Sequence, residues 1–221
     1  MIDAPGLQVF ASTAPSILTA GQLSATVTLS LNSPTAKSII VKIPVGNGAA
    51  DLIAAGTAGT IHPQLRGATG WTVQPTWTQN SPTYICDLTG KSPEPLVLIL
   101  PSVTVSDKSG DARIIVSDGG ESTSCTIVKY TKGFTLENFV AQPTSTKTLI
   151  PVNLSWRAKD AKSLHLAYKG TSDNLSPAST GKQVSVYEST TFRLEAVDQD
   201  DHRAHLTTHV QVTDPSLSYA T

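Results

Sequence analysis

The sequence predicts an all-β protein made of two tandem β-sandwich domains, residues 1–132 and 133–221. Three observations lead there. First, apolar residues between Pro151 and Val212 recur with period 2: Val152, Leu154 and Trp156; Leu164, Leu166 and Tyr168; Val184 and Val186; Phe192, Leu194 and Ala196; Leu206, Thr208, Val210 and Val212. That is how a strand with one buried face writes itself. Second, turn-forming stretches such as KDAK, KGTSDNLSPASTGK and DQDDH separate these runs, and short strands alternating with turn signals belong to sandwiches or barrels. Third, the N-terminal half repeats the pattern in Leu23, Ala25, Val27, Leu29 and Leu31, then in Ile39, Val41, Ile43 and Val45.

Taken in order, Leu7 and Val9 open the first domain. The alternating run ending at Leu31 is followed by a turn, Asn32–Lys37, and by the strand through Val45. Residues 46–70 are rich in small residues and show no period apart from a helical turn expected at Asp51–Ala55. So long a connection is either a crossover covering one end of the sandwich or a loop that binds or assembles. Trp71, Val73, Trp77 and Tyr84 follow, punctuated by Pro75 and Pro82. Trp71, Trp77 and Tyr84 could form a ligand-stacking platform of the kind sugar-binding modules use; aromatics beside prolines also serve as core plugs and edge-strand residues. Strand-like runs at 84–88, 96–105, 112–116 and 125–130 complete the domain. Phe134, Leu136 and Phe139 show that the following stretch is no free tether; it should open the second domain, with the boundary near Thr131–Gly133. Trp156, the one Trp of that domain, suits a bulky plug between two packed sheets.

The stretch VNLSWRAKDAKSLHLAY…STGKQVSVYESTTFRLEAVDQDDHRAHLTTHVQV resembles the bacterial immunoglobulin-like modules of surface and extracellular proteins. The resemblance spans residues 135 to 213 and rests on an early L-x-W, on Thr190–Ala196 (TTFRLEA), on the acidic turn and on a final V-x-V strand. It implies an immunoglobulin-like second domain, a bacterial protein and a cell-surface or extracellular setting. Phe192 stands where tyrosine is common, so a hydroxyl bond at that corner is not available. The first domain resembles bacterial surface-protein repeats more weakly, through its polar turn and I-x-V-x-I-P-x-G strand.

Composition bounds the function. Sixteen Lys and Arg against seventeen Asp and Glu give a net charge of −1, which leaves no electrostatic footprint for nucleic acid. No apolar run approaches the ~20 residues of a membrane helix, so no transmembrane segment is expected. Met1–Phe10 lacks the basic and apolar regions of a signal peptide. Cys86 and Cys125 admit two readings. A disulfide would join two strands of the first domain, contributing ~3–4 kcal/mol by closing a loop of about 40 residues; otherwise both are buried free thiols. They cannot complete a closed zinc site by themselves.

Candidate chemistry is sparse. His202, His205 and His209 invite a metal reading, but His205 and His209 share outward parity and lie about 13 Å apart along a strand, and His202 belongs to the preceding turn. Asp198, Asp200 and Asp201 could offer hard oxygens to calcium, yet they lack the glycine and distal glutamate of an EF-hand and read equally well as solvated turn charges. No G-x-S-x-G elbow, catalytic-cysteine context or phosphate loop is present. The N-L-S acceptors at Asn153 and Asn174 are set aside because Asn153 is mid-strand. No catalytic residue, metal or cofactor is therefore expected. The sequence favours a non-catalytic structural or interaction protein that binds a protein partner or itself: a spacer, an adhesion unit or an assembly subunit. A glycan-binding module using Trp71, Trp77 and Tyr84 is the alternative. A secreted toxin or pore-forming subunit, with residues 46–60 as its membrane-active part, is a further one.

Overall fold

The alternation in the sequence reappears as sheet pairing. The computed structural model describes residues 6–32, 37–67, 69–90 and 94–213, and the chain divides into two units, Met1–Lys132 and Gly133–Thr221. Most of the turn expected at Asn32–Lys37 lies outside the described residues. Among those described, the only helical segment is a 3-10 turn at Ala58–Thr60.

In the first unit the strands are β1 (Gln8–Ala14), β2 (Ala25–Asn32), β3 (Ser38–Gly46), β4 (Ile53–Ala54), β5 (Gln64–Arg66), β6 (Thr72–Thr76), β7 (Thr83–Thr89), β8 (Leu96–Val103), β9 (Gly110–Ser117) and β10 (Ser122–Lys129). One sheet runs β1-β2-β8-β5, the other β10-β9-β3-β7-β6, with β4 parallel to β3. Val27, Leu29 and Leu31 of β2 and Leu98 and Leu100 of β8 share one core with Ile39, Val41 and Ile43 of β3 and Ile114 and Val116 of β9. All are at 0% exposure, and burying each such side chain is worth about 1.5–3 kcal/mol. Leu23 departs from its expected place. It is 73% exposed, because Ser24 takes φ 56° and breaks the alternation before β2 begins.

The second unit contains β11 (Thr135–Gln142), β12 (Ser145–Thr146), β13 (Pro151–Lys159), β14 (Ser163–Tyr168), β15 (Thr171–Leu175), β16 (Gly181–Ser185), β17 (Thr190–Val197) and β18 (Arg203–Val212). Its sheets are β11-β13-β16 and β12-β18-β17-β14-β15. The stretch read as one long turn after Tyr168 thus contains a strand, β15. Trp156 is 4% exposed, stands edge-on to Phe139 with centroids 6.2 Å apart, and donates its indole N–H to the Ser179 carbonyl at 2.7 Å.

Both units pair their strands in the same order. In the first, β1-β2-β8 stands opposite β10-β9-β3-β7; in the second, β11-β13-β16 stands opposite β18-β17-β14-β15. This is the two-sheet immunoglobulin-like arrangement. The difference lies between β3 and β7, where the first unit inserts β4, the 3-10 turn, β5 and β6. β5 extends the β8 edge of one sheet and β6 the β7 edge of the other.

The inserted stretch is therefore structured. Leu52, Ile53, Ala58 and Ile61 are buried, and Ile53 bridges to Val105. The helical turn expected at Asp51–Ala55 does not form, because Ile53 and Ala54 are drawn into pairing with β3.

Candidate interaction surfaces

The three aromatics expected to stack a ligand are placed differently from one another. Tyr84 is 1% exposed and donates its hydroxyl to the Ile61 carbonyl at 3.1 Å. Burial raises its pKa, and the nearby Cys86 adds to the rise. Trp71 is also buried, its indole lying over Gly90 so closely that a Cβ there would run into the ring. Trp77 is half-buried against Gly59, with no hydrogen-bond partner for its indole N–H among the described residues. Trp71 and Tyr84 thus serve as core plugs that seat the inserted stretch, and they offer no platform to a glycan.

The disulfide reading is also corrected. Cys86 and Cys125 are free. Cys86 lies on β7 and Cys125 on β10, with β3 and β9 between them in one sheet. Three inter-strand spacings amount to about 14 Å, beyond the ~7 Å Cα separation that a disulfide can bridge. Burial pushes the Cys86 thiol up to about 12 and raises that of Cys125, so neither is an activated nucleophile.

The acidic turn is not simply a patch of solvated charge. Asp198 is fully buried. One carboxylate oxygen accepts the backbone N–H groups of Asp200 and His202, each at 2.9 Å, and the other faces His202 Nδ1 at 3.2 Å. Asp198 thus fastens the β17–β18 turn, while Asp200 and Asp201 remain exposed. His205 and His209 are exposed on β18 as their parity required. Among the described residues, no group of three or more His, Cys, Asp or Glu is placed to hold a metal ion.

Sequence reasoning passed over Lys129. It is fully buried, and its ammonium donates to the Ser106 hydroxyl at 2.6 Å, to the Lys108 carbonyl at 2.8 Å and to the carbonyls of Gly48 and Asp51. Burial lowers its pKa to about 8, opposed by the charge of Asp51. Its parity was the available signal, since Cys125, Ile127 and Lys129 alternate inward together. Lys129 ties the inserted stretch to the end of β10.

What remains for recognition is surface. On the outer face of the second unit's larger sheet, Asn174, His165, Glu195 and His205 stand in one cross-strand row. Glu195 is held by Arg193 at 3.2 Å and by Arg203 at 2.8 Å. Ala167, small among long neighbours, floors a depression of about 350 Å³ lined by these two arginines, His165 and Ser172. In the first unit, β1 and β10 are outer strands of their two sheets. A cleft of about 320 Å³ between them is lined by Ser12, Thr13, Ser16, Thr126, Val128 and Tyr130, among others.

No protein-family model matches the chain, and no curated protein matches it. Among solved structures it is similar to the adhesin InvE of Yersinia pseudotuberculosis, at 13% identity over 93% of this chain and 60% of that one, with a TM-score of 0.22. It is also similar to the fibronectin(III)-like modules of Clostridium thermocellum CbhA, at 11% identity over 96% and 98% of the two chains and a TM-score of 0.28. A third neighbour is a C-terminal fragment of intimin solved with the intimin-binding domain of its translocated receptor, at 12% identity over 93% and 64% and a TM-score of 0.27. The sandwich assignment rests on the chain's own strand pairing.

Proposed function

We propose that this chain is a non-catalytic structural and interaction protein whose contacts are made through strand edges and sheet faces, its own copies included. The observation that supports this reading is where its chemically capable side chains are spent. Lys129, Tyr84, Trp71, Cys86 and Asp198 are all buried in roles that hold strands and turns together. The accessible features are open strand edges and a polar sheet face. Edges with unpaired N–H and C=O groups are a standard route to protein–protein pairing. A net charge of −1 presents little electrostatic barrier to self-association.

Light scattering on size-fractionated protein, from about 10 μM to about 1 mM to cover weak contacts, tests the reading. The average mass should rise above that of the 23.2 kDa chain as concentration increases. A constant 23.2 kDa over the whole range contradicts it.

A further inference from the structure

The outer face of the second unit's larger sheet differs in charge from the chain as a whole. The chain carries −1. The outward positions of β14, β15, β17 and β18 instead present Arg193, Arg203, His165, His205 and His209 against a single carboxylate, Glu195. With the histidines neutral, two arginines against one glutamate leave +1. The other acid of these strands, Asp173, has the opposite parity and is paired with Lys182 at 2.6 Å.

This charge gathers at one depression. Ser172, Ala167 and Arg193 stand in one cross-strand row, beside the row of Asn174, His165 and Glu195. The short side chain of Ala167 leaves about 350 Å³ open between its longer neighbours, at the small end of ligand sites. Its walls are held in place. His165 is engaged at both ring nitrogens, Nδ1 at 2.7 Å from Asn174 Oδ1 and Nε2 at 3.2 Å from Ser163 Oγ. Glu195 gives one oxygen to Arg193 and the other to Arg203, which fixes both guanidinium groups at the rim. Arg193 reaches Glu195 through Nη2 alone. Its remaining N–H groups, and the Ser172 hydroxyl that lines the same depression, meet no acceptor among the described residues.

We infer that this depression seats a carboxylate from an acidic segment of a protein partner, an Asp or Glu side chain that lies over Ala167 and accepts from Arg193 and Ser172. This rests on the proposed interaction role and gives it a place and a chemistry. Charge complementarity selects the occupant. A guanidinium held in a fixed plane with unspent N–H groups matches a carboxylate through paired hydrogen bonds, and the balance of +1 favours an anion over a cation or a neutral group. No Trp, Tyr or Phe lines the depression, so a sugar ring has no aromatic face to lie on. Arginines in such seats are among the residues on which protein contacts depend most.

NMR titration of the full isotope-labelled chain with a hexaglutamate peptide blocked at both ends tests the inference. Amides at 165–167, 172 and 193–195 should shift, with half-saturation at about 1 mM, while those of β11, β13 and β16 in the opposite sheet stay in place. Ala167→Met fills the floor without altering charge and should weaken binding about tenfold. Arg193→Gln should do the same, and Arg193→Lys should recover only part of the loss, because a point charge replaces the fork. Lys42→Gln, an equal loss of charge on the first unit, should leave binding unchanged. Unmoved amides at the depression overturn the inference, as does binding that survives both Ala167→Met and Arg193→Gln. An oligogalacturonate that shifts these amides where the peptide does not overturns the protein assignment in favour of a glycan. Inorganic phosphate binding as well as the peptide reduces the site to a general anion trap and also overturns it. The mass measurement is independent: peptide failure with a mass that rises with concentration removes the seat alone and leaves the interaction role standing, whereas a constant 23.2 kDa removes the role.

Discussion

Lys129 shows most plainly how single residues are used in this fold. A free lysine titrates near 10.4, whereas burial lowers this amine to about 8. Between those values the unfolded chain carries a proton that the folded chain lacks, so the contribution of Lys129 to stability rises with pH over that window and is lost as pH falls through about 8. The urea midpoint measured at pH 7.5 and pH 10 should therefore increase more in the unsubstituted protein than in Lys129→Met, with a differential of up to ~3 kcal/mol. Parallel pH profiles for the two proteins would remove this account. Asp198 works by hydrogen bonding: Asp198→Ala strands two backbone donors in the β17–β18 turn and should destabilise by about 2–3 kcal/mol in chemical denaturation. Gly90→Ala should displace the Trp71 ring, readable as a red-shifted Trp emission together with a lower melting temperature.

Legibility differed between elements for physical reasons. Strands with one buried face announce themselves, so β2, β3, β8, β13, β14, β17 and β18 could be read from parity. The short strands β4, β5, β12 and β15 bury too few side chains to leave a period. Leu23 looked like the first member of its row, because nothing in the sequence marks the positive φ of Ser24. Asp198 read as a polar turn residue and Lys129 drew no reading, since burial of a charge depends on what folds over it. The candidate surface was the least legible part: His165, Glu195 and His205 are far apart in sequence and meet only through pairing of β14, β17 and β18. Within β11, Asn138 sits at the bulge with φ 58°, a conformation asparagine tolerates better than branched residues do. Asn138→Val should cost about 1–2 kcal/mol, whereas Asn138→Gly should be close to neutral; equal effects of the two would mean that the bulge is not held by that conformation.

For the whole molecule, the two units have separate cores and the same strand order, one of them enlarged by an insertion seated on two sheet edges. Residues 133–221 expressed alone should therefore unfold in a single cooperative transition; a fragment without one would mean that its core depends on the first unit. The central claim is that this fold works through its surface, by contacts made at strand edges and sheet faces. Amide hydrogen exchange at low and high protein concentration tests it most directly. Amides at a strand edge or on a sheet face should gain protection as concentration rises, while those of the core strands stay unchanged. Exchange that is the same at every amide from low to high concentration would contradict the account.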